Sequence, residues 1–159
     1  MNRMWFLRNA GLIAVATLYV FSRVVFAAGD VVVKGAWARA TSPGQTTASV
    51  YLDIVSTEKA ALIAVSSVVA RRAEIHASGT ADGVMRMRRV DRIELPAKKP
   101  VRLAPNELHI MLIDIARPLR EHESVPLELT VEGARGRQST IRLEATVRAA
   151  GAASHPHAH

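Results

Sequence analysis

The chain contains no cysteine. That absence removes disulfide staples, thiol nucleophiles, zinc fingers and the Cys-ligated blue-copper site together, because each needs a thiol or thiolate. Aromatic residues are scarce, 4% of 159 residues, so a core must be assembled from Val, Ile, Leu and Ala. No block of Lys and Arg is interleaved with aromatics, which argues against a nucleic-acid groove. Sustained 3.6-residue periodicity, a His-Glu-x-x-His pair and a glycine-rich phosphate loop are all missing. A helical fold and the common hydrolytic zinc and phosphate-binding sites therefore find no support.

The N-terminus has the composition of an export signal. Met1 to Arg8 holds two arginines and no acid, and Ala10 to Phe21 is apolar. Val25 and Ala27 occupy the positions that a signal peptidase reads. Arg23, and the shortness of the apolar run before it, argue against a spanning helix, which needs about 20 uninterrupted apolar residues. Residues 1–27 are read as a signal peptide cleaved after Ala27, residues 28–148 as one β domain, and residues 149–159 as a flexible tail. The formal charge of +7 includes Arg3, Arg8 and Arg23, so 18 of the 21 basic residues remain against 14 acidic ones, leaving +4. The domain from Ala28 onward is expected in the periplasm, an oxidising space where thiolate copper ligands would be at risk.

The domain reads as a run of short strands. Ala48, Val50, Leu52 and Ile54 alternate with Ser49, Tyr51 and Asp53, the period of two of a half-buried strand. Val125 to Val131 and Ile141 to Val147 alternate in the same way, and His109, Met111, Ile113 and Ile115 are expected on one strand face. Shorter segments begin at Val31, Trp37, Leu62, Ala73 and Met85. Ser42-Pro43-Gly44, Ala81-Asp82-Gly83, Pro105-Asn106 and Gly133 to Gly136 supply turns. The fold class is all-β, an antiparallel sandwich or Greek-key barrel.

Two histidines and two methionines, spaced His76-x10-Met87-x21-His109-x-Met111, carry the candidate chemistry. Imidazole nitrogen with thioether sulfur and no thiolate suits a soft cation, copper(I) first. His109 and Met111, at i and i+2, leave one face of a strand. A hairpin with a wide loop over Ala77 to Val84 brings His76 toward Met87. Taken singly, a strand Met usually fills a core and a His usually sits at the surface, so the joint spacing carries the signal. In the tail, His155, His157 and His159 suit capture of copper(II).

That spacing resembles the signature of the periplasmic PCu(A)C copper chaperones, and the surroundings are similar too. Trp37-Ala38-Arg39 looks like the family's W-x-R, Ala48-Ser49-Val50-Tyr51 like its A-x-x-Y, and Glu74-Ile75-His76 like its E-x-H. Asp82-Gly83-Val84-Met85-Arg86-Met87 resembles its DGVM-x-M run, Leu108 to Leu112 its H-x-M-L, and Val125 to Leu129 its VPL-x-L strand. The resemblance spans Val31 to about Val147. It implies a cupredoxin-like β-barrel holding one copper(I) near the surface through His76, Met87, His109 and Met111, with Met85 as an accessory candidate. It further implies delivery to copper sites of respiratory haem-copper oxidases, notably the copper-A centre, and no enzymatic activity. The implied partner is the copper-accepting oxidase subunit or another periplasmic copper carrier, with the membrane reached only through that partner or an uncleaved signal. Two departures stand out: Ala77 where many members have Met, and Pro105-Asn106 in place of Pro-Gly, which Asn tolerates because it accepts left-handed geometry. The competing readings are a copper-sequestering resistance protein and a β-sandwich module that binds no metal.

Overall fold

The structure is a computed structural model that describes residues 26–28, 30–81, 83–149 and 151. The expected signal peptide, apart from the backbone of Phe26 and Ala27, and the histidines of the tail lie outside these residues. Among the described residues no helix is long and apolar enough to cross a membrane.

Strands follow one another as β1 (Phe26–Ala28), β2 (Val31–Arg39), β3 (Thr47–Ser56), β4 (Ala60–Ser66), β5 (Ala70–Ala81) and β6 (Val84–Val90), then β7 (Ile93–Leu95), β8 (Pro100–Leu103), β9 (Leu108–Ile115), β10 (Ser124–Glu132) and β11 (Gln138–Arg148). A 3-10 turn, Ala134–Gly136, joins the last two. The fold is all-β, as the alternation requires. The strands form one continuous sheet ordered β6-β5-β9-β3-β2-β11-β10-β4-β7, with β1 added to β2 and β8 to β3. β4 contacts β5 and β7 contacts β3 across the interior, so the sheet rolls over a shared core.

That core is aliphatic, as the scarcity of aromatics demands. Val50, Leu52 and Ile54 of β3, Ile110 and Leu112 of β9, Leu127 and Leu129 of β10, and Ile141 and Leu143 of β11 are essentially inaccessible to water. Burying each such side chain contributes roughly 1.5–3 kcal/mol. The same period of two turns the intervening residues to the other face of the sheet, His109 and Met111 of β9 among them.

Local backbone details set the register. Gly35, at φ +61°, lies where the β2–β3 pairing shifts between Lys34 and Trp37. The bulge joins into one strand the two segments expected at Val31 and Trp37. Asn106 adopts φ +66°, the left-handed geometry that the Pro-Asn turn anticipated. β5 continues to Ala81 and β6 starts at Val84. The loop expected over Ala77 to Val84 is therefore only two residues, closed by Gly83 at φ +76°.

Candidate metal centre

β5 lies between β6 and β9, antiparallel to both, and the register decides which side chains meet. His76 of β5 is directly opposite His109 of β9. Their ring centroids are 5.8 Å apart with planes at 64°. Met111 is opposite Glu74, one step along β9 from His109 on the same face. Met87 is opposite Ser78, two residues beyond His76, and Arg89 faces His76 itself. Directly opposed residues share a face, so His76, His109, Met87 and Met111 all project from the outer surface of this part of the sheet. The two histidines form its centre, and Met87 and Met111 flank them diagonally on either side. The tight hairpin thus places Met87 diagonal to His76 rather than opposite it. Met85, opposite Thr80, lies another two residues out, roughly 6.6 Å further along the strand.

The four residues differ in access. His109 is 4% exposed, whereas Met87 is 59% and Met85 57% exposed. His76 and Met111 are half-buried. Ile110 and Leu112, between and beyond the paired ligand candidates of β9, enter the core and fix that strand. Ile113 stays on the outer side, but Ile115 turns into the core beyond Asp114, which has φ +56°. The single face expected for all four of those β9 residues therefore ends at Ile113.

Hydrogen bonds prepare one nitrogen of each imidazole. His109 Nδ1 donates to the Glu107 carbonyl at 3.0 Å, which leaves Nε2 with its lone pair free of a proton. His76 Nε2 donates to the Glu74 carboxylate at 3.0 Å, leaving Nδ1 as the basic nitrogen. That Nδ1 is buried and has no hydrogen-bond partner. A buried acceptor without a partner is costly, and a bound cation would satisfy it. A carboxylate or carbonyl behind each ligating imidazole is the usual support for a metal-bound histidine.

Electrostatics agree with this arrangement. The hydrogen bond from His76, aided by the Arg89 and Arg72 guanidiniums, holds the Glu74 carboxyl below its ordinary value. Burial lowers the His109 pKa, partly offset by its bond to Glu107 and reinforced by the neighbouring His76. The second change keeps the His109 imidazole neutral and ready to coordinate. Among the described residues no three His, Cys, Asp or Glu side chains gather as a metal cluster. The thioethers of Met87 and Met111 are the soft donors nearest the pair in register, and imidazole with thioether is a set that suits copper(I) and is poor for zinc.

Two further residues line the centre that spacing alone did not single out. Beyond residue 28 the only aromatic side chains are Trp37 and Tyr51. Their rings are 4.5 Å apart on the outer face, and Tyr51 lies 6.4 Å from His109. Arg148 stacks over Trp37 at 5.2 Å and Arg39 over Tyr51 at 5.8 Å. The motif residues Trp37, Arg39 and Tyr51 therefore form a wall beside His109. Glu74 was legible only as a motif letter, since its role depends on a side-chain rotamer. A cavity of about 500 Å³ lies elsewhere, between Ser66–Val68 and the strand segments at Pro126 and Arg142. The His/Met centre is open sheet surface.

This eleven-stranded all-β fold is shared with solved PCuAC domains. The copper-bound PCuAC domain from PmoF2 matches with a TM-score of 0.63 at 26% identity, over 79% of this chain and 98% of that one. The copper(I) form of DR1885 from Deinococcus radiodurans matches with a TM-score of 0.54 at 25% identity, over 72% of this chain and 75% of that one. Apo-DR1885, at 24% identity and a TM-score of 0.57 over 92% and 97% of the two chains, matches in fold. The chain belongs to the LpqE-like (PCu(A)C) family, whose model matches residues 31–147. That family is described as a lipoprotein family, which accords with export. No curated protein matches the chain.

Proposed function

We propose that this protein is a periplasmic copper(I) carrier that binds one ion through His76, Met87, His109 and Met111 and delivers it to copper sites of a respiratory haem-copper oxidase, including the copper-A centre. The mature domain is residues 28–148, freed of a signal peptide, and the ion is its cargo rather than a catalytic cofactor. One observation carries the reading: the facing pair His76–His109, with a buried, unpartnered Nδ1, lies on an open face flanked by two thioethers. Copper-bound relatives of the same fold support it, and the acceptor assignment rests on the family resemblance. His155, His157 and His159 are a second, copper(II)-capturing element in this proposal.

The gradient of exposure suits stepwise release. Met87 sits on an end strand and is the most accessible donor, so acceptor ligands displace it first. Met111 and His76 follow, and buried His109 is the last to let go. Thioethers require no proton to leave, whereas each imidazole exchanges copper for a proton.

Titration of copper(I) against a competing chelator tests the binding. One tight site in the wild type, greatly weakened in Met111→Ala and in His109→Ala, is expected. Unchanged affinity in both variants would overturn the assignment. Deleting the gene tests delivery: loss of oxidase activity is expected, while copper sensitivity alone points to sequestration.

A further inference from the structure

β6 ends the sheet, and among the described residues its backbone pairs on one side only, with β5. Its seven residues, roughly 23 Å of strand, present a row of free N–H and C=O groups. The opposite end strand, β7, has three residues, and its Ile93 and Leu95 are buried. Every residue from Val84 to Arg89 is exposed. Arginine on an open edge ordinarily discourages association with other edges, which accounts for Arg86 and Arg88. It does not account for Val84, Met85 and Met87, apolar side chains exposed by 55%, 57% and 59% on the same strand. An edge built only to repel would not carry them.

The register sorts these side chains onto two faces. Met85 and Met87 lie opposite Thr80 and Ser78, on the face of His76. Arg86 and Arg88 lie on the other face, opposite Gly79 and Ala77, with open space at Gly79 and both arginines exposed. Neither arginine makes an ion pair among the described residues, whereas Arg72, Arg89 and Arg92 all do. One edge therefore offers backbone hydrogen bonds, two cations with no ion-pair partner among the described residues on one face, and thioethers beside the metal centre on the other.

We infer that β6 is a docking strand for an extended acidic segment of the copper acceptor. The segment adds to the sheet edge by main-chain hydrogen bonds, the recognition mode in which alternate side chains give specificity. Its acidic side chains meet Arg86 and Arg88. A copper-ligating side chain on its opposite face arrives next to Met87, so the ion crosses from β6 to the added strand. Pairing with β6 of a second copy brings arginines of the two strands close together, and like charges there are unfavourable. The inference rests on the carrier reading for what is handed over, but strand addition itself needs no metal.

The test uses the exported protein and a synthetic peptide that alternates glutamate with valine around one methionine. Expected are chemical-shift changes and exchange protection at the β6 amides. Affinity should fall roughly tenfold or more in the double variant Arg86→Glu/Arg88→Glu, which should instead prefer a lysine version of the peptide. N-methylation of the peptide amides that face the edge should abolish binding to the wild type. Copper(I) affinity of the double variant should match the wild type, because neither arginine lies on the ligand face. Binding indifferent to charge reversal or N-methylation, protection away from β6, or no binding would overturn the docking strand. If the peptide protects β6 while the wild type fails to take up copper(I), the carrier reading falls and the docking strand stands.

Discussion

His76 and His109 face each other across neighbouring antiparallel strands, with ring centroids 5.8 Å apart. Each has one ring nitrogen engaged by a protein oxygen and the other left basic. The pair is thus set as two nitrogen donors before any ion arrives. Replacing either by Ala should weaken copper(I) binding by more than the roughly 10–100-fold that losing a supporting hydrogen-bond partner costs. Chelator competition measures this, and a loss smaller than that of the supporting residue would be inconsistent.

Glu74 is that supporting residue. Its carboxylate accepts from His76 Nε2 and is kept ionised by the same bond and by Arg89 and Arg72. Glu74→Ala should lower copper(I) affinity roughly 10–100-fold, and Glu74→Gln, which retains an acceptor oxygen, should recover part of the loss. Equal affinities for the two variants would indicate that the hydrogen bond does not orient the ring.

A pH dependence follows from burial of His109, whose folded-state pKa lies below the ordinary 6.5. As pH falls through that value the unfolded chain takes up a proton at this residue before the folded one does. Stability is therefore complete above that range and is lost as pH drops toward the folded-state pKa. Melting of the metal-free protein between about pH 8 and about pH 5 should show this decline, reduced in His109→Gln. Identical pH slopes in the two proteins would exclude the contribution.

Leu112 anchors the strand beneath the centre, fully buried next to outward-facing Met111. Leu112→Ala should destabilise the domain by roughly 2–5 kcal/mol, the usual cost of a core truncation. Denaturant unfolding reads it directly. A cost below about 1 kcal/mol would mean that the core collapses to fill the space.

Much of this was legible in the sequence because strand periodicity is local. The alternations in β3, β10 and β11 identified their buried faces, and His109-x-Met111 placed both on one face. What stayed hidden depends on pairing between distant segments. The two-residue loop after Ala81 sets Met87 opposite Ser78 and so diagonal to His76, a consequence of register rather than of spacing. Strands as short as Ile93–Leu95 and Pro100–Leu103 contain too few residues to show a period. Ile115 left the expected face because one left-handed residue, Asp114, ends the alternation. The wall of Trp37 and Tyr51 beside His109 arises from the pairing of β2 with β3, which composition does not encode.

The donor set itself is most directly read by X-ray absorption at the copper edge of the copper(I)-loaded protein. Two nitrogen and two sulfur scatterers are expected, with one sulfur lost in Met87→Ala and one in Met111→Ala. A shell of nitrogen and oxygen alone, unaltered by either substitution, would contradict copper binding at this face.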